Sequence, residues 1–245
     1  MQLQLHGVGK KYEDSNEVVL NSVSLNVEQG EFVCVVGKSG CGKSTLLKLI
    51  AGLEQPSCGQ MLLNGKPITK PGADRVVMFQ DHALFPWLTV EENVKFNLKI
   101  KGYDKKTIEE RTEKILDIIG LKNERNAYPH QLSVSAEQRV VIGRSFALYP
   151  DLLLMDEPYG QMDIKVRYYL EDEVLKLWRE TGSTVLFITH NIEEAIYLSQ
   201  KCLIMTKKPT QIKAIVDNPL PYPRDVSSEE FIKLREEVTD MIKWW

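Results

Sequence analysis

The sequence predicts an α/β fold with a parallel sheet at its centre, antiparallel strands ahead of it and a helical segment inserted within it. Three observations predict this. Short apolar, largely β-branched runs at 31–36 (EFVCVV), 75–79 (RVVMF), 152–155 (LLLM) and 184–189 (TVLFIT) read as buried strands. The first of them runs into Gly37-Lys38-Ser39-Gly40-Cys41-Gly42-Lys43-Ser44-Thr45, with the spacing G-x-x-x-x-G-K-[ST], and then into a helix over 46–52. From 81 to 131 strand character gives way to helical periodicity.

Each element follows from its residues. Segments 3–8 and 18–27 alternate apolar and polar side chains, as half-exposed antiparallel strands do. Between them, Tyr12 is either an ordinary strand-end aromatic or a ring that stacks on an adenine face. In the loop 37–45, glycines let successive N–H groups turn inward on a phosphate, and the dipole of the next helix adds positive potential. Gly37, Lys38, Ser39, Gly40, Cys41, Gly42 and Thr45 form that cradle. Lys43 brings a full charge to the β- and γ-phosphates, and the Ser44 hydroxyl can ligate Mg²⁺. The chain is therefore expected to bind a nucleoside triphosphate on a P-loop NTPase core.

Segment 59–65 reads as a strand closed by an Asn64-Gly65 turn. Strand 75–79 ends at Gln80, at the edge of a parallel sheet where ligands bind. Helical periodicity covers 89–101 and 105–120, with Ile108, Thr112, Ile115, Leu116 and Ile119 on one stripe and mixed charges on the solvated face. Ahead of these helices, Phe85-Pro86-Trp87-Leu88 is either core packing or a docking surface for another protein. A helix over 136–148 precedes the strand that carries Asp156 and Glu157 at its end. Asp156 can hold the water shell of Mg²⁺, and Glu157 can orient or deprotonate an attacking water. A helix over 164–180 leads to strand 184–189, which delivers His190 to the same edge. There an imidazole can reach the γ-phosphate or the water. A capped helix at 191–198, strands at 202–206 and 211–215, an extended stretch at 217–224 and an amphipathic helix over 227–245 complete the chain.

Composition narrows the class. A length of 245 residues suits one large α/β domain. The net charge of −3 gives no global basic character for nucleic acid. No apolar run approaches the roughly 20 residues needed to span a bilayer, and the first residues do not read as a signal peptide. Cys34, Cys41, Cys58 and Cys202 are scattered without C-x-x-C spacing, so a reduced, cytoplasmic chain is expected.

The order of these features resembles the ATPase subunit of an ABC transporter over nearly the whole chain. The phosphate loop is similar to its Walker A motif, Gln80 to the Q-loop glutamine, 152–157 to the Walker B motif with its Glu, Gly160-Gln-Met-Asp163 to the D-loop, and His190 to the switch histidine. Pro71-Gly-Ala-Asp-Arg75, Leu84-Phe-Pro-Trp87, Asp156-Glu-Pro-Tyr-Gly160 and Pro221-Tyr-Pro-Arg-Asp225 resemble the nitrate/sulfonate/taurine importer branch. The resemblance implies ATP and Mg²⁺ as cofactors, with Glu157, His190 and Gln80 catalytic and Ser44, Gln80 and Asp156 around the metal. It implies that Tyr12 stacks on adenine, that Asp163 lies at the nucleotide, and that Ser133 meets the ATP of the opposite subunit. It also implies one nucleotide-binding domain over 1–245. A RecA-like core with a β subdomain covers about 1–80 and 145–216, a helical subdomain 81–144, and a C-terminal extension 217–245. Expected partners are transmembrane permease subunits, a second ATPase subunit and, indirectly, a solute-binding protein at the cytoplasmic face of a membrane, with no nucleic acid.

One stretch departs from the family. Where the signature has Leu-Ser-Gly-Gly, this chain has Leu132-Ser133-Val134-Ser135-Ala136, and Glu137 stands where the branch usually carries a basic residue. Ser133 and the Ser135 amide can still donate, but Val134 adds a stiff β-branched side chain and Glu137 an anion near a triphosphate. The Walker half is expected to hydrolyse ATP when a partner supplies an intact signature, in a heterodimer or a slow homodimer. The second reading is a weakly hydrolysing regulatory or structural ATP-binding partner of another ATPase chain.

Overall fold

The computed structural model describes residues 1–13, 16–80, 84–159 and 164–243. β1 (Leu3–Tyr12) and β2 (Glu17–Val27) form an antiparallel hairpin whose buried residues alternate, and β4 (Cys58–Leu63) and β5 (Lys66–Pro67) extend it in the order β2-β1-β4-β5. Asn64 and Gly65 both take left-handed φ values, 51° and 72°, as the two central residues of a type I′ hairpin turn must.

The second sheet has the order β10-β9-β3-β8-β7-β6. It comprises β3 (Phe32–Val36), β6 (Arg75–Met78), β7 (Leu152–Asp156), β8 (Thr184–Thr189), β9 (Lys201–Met205) and β10 (Ile212–Asp217). Only β10, at one edge, is antiparallel to its neighbour; the rest run parallel. All five residues of β3 are buried, as expected of a strand covered on both faces. Strand alternation splits the core in two. Phe32, Cys34, Val36, Val185 and Phe187 pack with most of the helices, while Val33, Val35, Leu186 and Ile188 pack with α1 (Lys43–Ala51) and the antiparallel sheet.

Between β6 and β7 lie α2 (Val90–Lys101), α3 (Lys105–Ile118) and α4 (Val134–Ala147), packed on one another. Thr112, Ile115, Leu116 and Ile119 are buried and Ile108 packs beside them, so the stripe read from the sequence is the packed face. α2 opens with a capping box between Thr89 and Glu92. The buried Asn93 side chain ties the preceding loop down through the carbonyls of Phe85, Leu88 and Thr89.

α5 (Ile164–Thr181), α6 (Ile192–Leu198) and α7 (Glu229–Lys243) complete the fold. Several boundaries differ from the sequence reading: α1 starts at Lys43 rather than 46 and β1 runs on to Tyr12 rather than 8, and three others have a visible cause. α4 starts at Val134 rather than 136, because the Ser133 hydroxyl accepts the Ala136 N–H and caps the helix there. α7 starts at Glu229 rather than 227, because the Ser228 hydroxyl accepts the Phe231 N–H. β10 runs to Asp217, which pairs with Lys201.

Candidate nucleotide-binding site

Because β3, β6, β7 and β8 are parallel neighbours, their carboxyl ends open on one edge. β3 runs into the phosphate loop, Gln80 follows β6, Asp156 ends β7 and His190 follows β8. A cleft of about 360 Å³ lies there, lined by Ser39, Gly40, Gly42, Lys43, Ser44, Thr45, Gln80, Asp156, Glu157 and Lys208.

The loop is shaped for an anion. α1 begins after Gly42 with no side-chain cap and no acidic residue in its first turn, so its leading N–H groups are open to a ligand. Gly42 has φ 108°, and a Cβ there would stand 2.9 Å from a Val19 methyl, so only glycine fits. Gly37 is buried, and a Cβ on it would come within 2.8 Å of the Cys41 sulfur. Burial pushes the Cys41 thiol up from its ordinary value, against the pull of Lys43. Lys38 is exposed at the loop's outer turn.

Lys43 is 5 % exposed. Its ammonium donates to the carbonyls of Gly37 (2.9 Å) and Lys38 (3.3 Å) and lies 3.7 Å from Glu157 Oε1. An ammonium has three donors, so one remains for a phosphate along with the whole charge. Desolvation raises the Asp156 pKa from its ordinary value, while a hydrogen bond with the Ser44 hydroxyl opposes the rise and the charge of Glu157 adds to it. Ser44 and Asp156 thus face each other across the cleft floor, as a shared Mg²⁺ site requires. One hydroxyl, one amide and one carboxylate are hard oxygen donors, suited to an ion that takes its other ligands from phosphates and water.

Glu157 adopts φ 46°, a left-handed conformation uncommon for a non-glycine residue. Its N–H is held by the Ile188 carbonyl, and its Oε2 lies 3.1 Å from His190 Nδ1. Glu157 also borders a second, smaller cavity with Tyr159, Arg167, Thr189, His190, Asn191 and Glu194. Burial there pushes Glu194 up to about 7.

Tyr12 does not line the phosphate cleft. Its hydroxyl donates to Glu54 (2.7 Å), Lys10 sits 4.9 Å from its ring centre, and it reaches Thr45 of the loop. Burial and the Glu54 bond raise its phenol pKa. Ser133 also lies away from this cleft, at the start of α4. Asp163 lies outside the described residues. Phe85 turns inward, with its ring 4.2 Å from that of Phe96, whereas Trp87 is 69 % exposed and Phe79 48 %.

Three contacts at the site have no motif in the sequence. Lys208 lines the cleft from the β9–β10 connection, paired with Glu17 at 3.0 Å. The Thr210 hydroxyl, fully buried, donates to the Cys41 carbonyl and pins the loop from behind. Gln138 of α4, also fully buried, donates to the Pro158 carbonyl just after Glu157. Each contact joins segments far apart in the chain.

A phosphate cradle with its lysine, faced by paired carboxylates at the edge of a parallel sheet, defines a P-loop nucleoside-triphosphate-binding protein. A profile of the ABC transporter family matches residues 20–160. The chain belongs to the ABC transporter family and is an ATP-binding ATPase. It is 42 % identical over 245 residues to an uncharacterized ABC transporter ATP-binding protein of Methanocaldococcus jannaschii, covering 99 % of this chain and 92 % of that one. It is 40 % identical over 240 residues to an aliphatic sulfonates import ATP-binding protein of Bacillus cereus, covering 97 % and 94 %. Among solved structures, a dimeric ATP-binding cassette in a post-hydrolysis state with ADP and Pi superposes with TM-score 0.73 at 28 % identity, covering 89 % of this chain and all of that one. A Clostridium perfringens component of an ABC transporter complex shares the fold, with TM-score 0.80 at 24 % identity over 98 % and 96 % of the two chains.

Proposed function

We propose that the chain is the ATP-hydrolysing subunit of an importer for a small anion of the sulfonate or nitrate kind. It works as one of two nucleotide-binding subunits docked on membrane permease subunits at the cytoplasmic face, with a solute-binding protein delivering the solute. The observation that carries this reading is the convergence of Lys43, Ser44, Gln80, Asp156 and Glu157 on one cleft, with His190 against Glu157. Its support for import comes from the names of relatives such as the aliphatic sulfonates import ATP-binding protein. Those names give no support to a weakly hydrolysing regulatory or structural partner of another ATPase chain.

In this reading loop 37–45 and Lys43 bind the triphosphate, and Tyr12 meets the base. Mg²⁺, held by Ser44 and Gln80 with Asp156 reaching its water shell, would neutralise charge on the phosphates. Glu157 orients the attacking water and takes up its proton. Its bond to His190 Nδ1 fixes the imidazole, leaving Nε2 for the γ-phosphate or the water. Asp163 and Ser133 contribute at the dimer interface, Ser133 to the partner's ATP. We assign 1–80 with 145–216 to the core and β subdomain, 81–144 to the helical subdomain and 217–245 to a C-terminal extension. The exposed Phe79, next to Gln80 in the chain, and the exposed Trp87 suit a permease contact. No helix among the described residues is long and apolar enough to cross a membrane; in this reading the permease subunits supply the channel.

The subunit pairs with a second ATPase chain that carries an intact signature, or with its own copy at a lower rate. Reconstituting this chain with its permease, with and without a second ATPase chain, tests this. We expect ATP-dependent uptake of an alkanesulfonate or nitrate that needs Mg²⁺. Brisk hydrolysis by the homodimer would sink the heterodimer, and uptake confined to cationic solutes would sink the anion reading.

A further inference from the structure

Helix α6 is seven residues long, well below the roughly 12–15 at which an isolated helix is even marginally stable. The last carbonyls of any helix lack an intrahelical donor and must find one elsewhere. Those of α6 find it in a single segment. Arg224 Nη1 donates to the carbonyls of Ile196, Tyr197 and Ser199, the Tyr222 hydroxyl to Leu198, and Asn218 Nδ2 to Ile196 and Ser199. The donors are themselves anchored. Arg224 is 6 % exposed with its guanidinium 4.1 Å from the Tyr222 ring centre, and Tyr222 packs edge-on against Trp178 of α5.

At the other end, Asn191 caps α6 by accepting the N–H groups of Glu193 and Glu194, and the residue before Asn191 is His190. Arg235 of α7 pairs with Glu193 at 3.0 Å, and the Tyr168 hydroxyl of α5 bonds the same carboxylate. Segment 218–243 therefore grips both ends of a short helix whose cap, Asn191, directly follows His190. The His190–Glu157 bond is 3.1 Å, and such a bond is gone by 3.6 Å. A slip of α6 by one residue's rise, about 1.5 Å, would break it.

We propose that Asn218, Tyr222 and Arg224 are positioning residues for ATP hydrolysis, which by capping the C-terminal carbonyls of α6 hold His190 against Glu157. This rests on His190 being a catalytic group, so His190→Ala belongs in the same experiment. In the transporter assembled from the full chain, kcat, KM and the affinity for ATP would be measured for Arg224→Ala, Tyr222→Phe, His190→Ala and the double variant Arg224→Ala/His190→Ala. Arg224→Ala is expected to lower kcat about tenfold with ATP affinity within about twofold, and the double variant to be no slower than His190→Ala alone. Tyr222→Phe keeps the ring and loses only the hydroxyl, so it tests the cap without removing a buried guanidinium. It should lower kcat about threefold at unchanged affinity. Wild-type kcat in both tail variants overturns the proposal, as does a double variant whose losses simply multiply. If His190→Ala itself keeps wild-type kcat, the catalytic reading of His190 falls and the proposal with it. A collapse in His190→Ala with normal tail variants sinks the positioning role alone.

Discussion

Two helix N-termini in this chain are proposed to meet ATP, and they are built in opposite ways. α1 has a glycine cap, no side-chain hydrogen bond to its leading amides, no acid in its first turn, and Lys43 as its first residue. α4 is capped by Ser133, whose hydroxyl accepts the Ala136 N–H at 3.2 Å, carries Glu137 in its first turn, and shows Val134 65 % exposed at its first position. Any helix start offers unpaired N–H groups and about half a positive charge. α1 leaves both for a ligand. α4 spends one amide on its own serine and answers the charge with its own carboxylate. An anion site is made as much by what is withheld from a helix start as by what is placed there.

The largest effect should come from the intact side. Glu157→Gln keeps the shape of the edge but removes the proposed base, and hydrolysis should fall by about 10²–10⁴-fold while ATP affinity holds. Turnover and equilibrium nucleotide binding, measured together, separate the two. A loss of binding in parallel would mean that the carboxylate organises the cleft rather than the water. Lys43→Ala removes the buried cation of the phosphate loop and should weaken ATP binding by roughly 10–100-fold, the value of a charge-assisted bond. If it weakens binding less than that, the amides of α1 carry more of the anion than the lysine does, which would sharpen the contrast with α4.

Val134→Gly with Ser135→Gly makes α4 resemble the family's signature. Removing an exposed β-branched side chain opens the approach to its N-terminus, and turnover of the homodimer should rise about tenfold if close approach is what limits it. The glycines also cost α4 up to about 1 kcal/mol each, so melting temperature should fall slightly as rate rises. A homodimer no faster than wild type would place the limit elsewhere and remove the case for a second ATPase chain.

Legibility followed the range of the interactions. The edge that carries Gly37 to Thr45, Gln80, Asp156, Glu157 and His190 could be read because each residue sits beside a buried strand whose pattern announces it, and parallel pairing does the rest. The start of α4 was misplaced by two residues because Ala136 is its first buried position and periodicity registers burial. The cap rule, applied to Ser133, would have placed it. Lys208, Thr210 and Gln138 were not foreseen, since their partners lie 20 to 191 residues away and nothing in their neighbours advertises them. The tail read only as extended and proline-bearing. That Asn218, Tyr222 and Arg224 cap α6 depends on β9 and β10 turning the chain back beneath it.

The smallest effect is the most diagnostic, because two readouts should move in opposite directions. Glu137 sits in the first turn of α4, where a carboxylate stabilises its helix by about 0.3–1 kcal/mol. The same charge repels a phosphate brought to that N-terminus, by about 0.8 kcal/mol at ~10 Å in an effective dielectric near 40, or roughly fourfold in affinity. Glu137→Gln should therefore lower the melting temperature by a few degrees at most while raising turnover of the homodimer about fourfold, with the gain shrinking as salt screens the repulsion. Melting curves and salt-dependent rates on one preparation decide it. A rate that rises independently of salt would point to packing rather than charge, and a rate that falls would mean that Glu137 faces away from the partner's nucleotide and that α4 differs from α1 by its cap and Val134 alone.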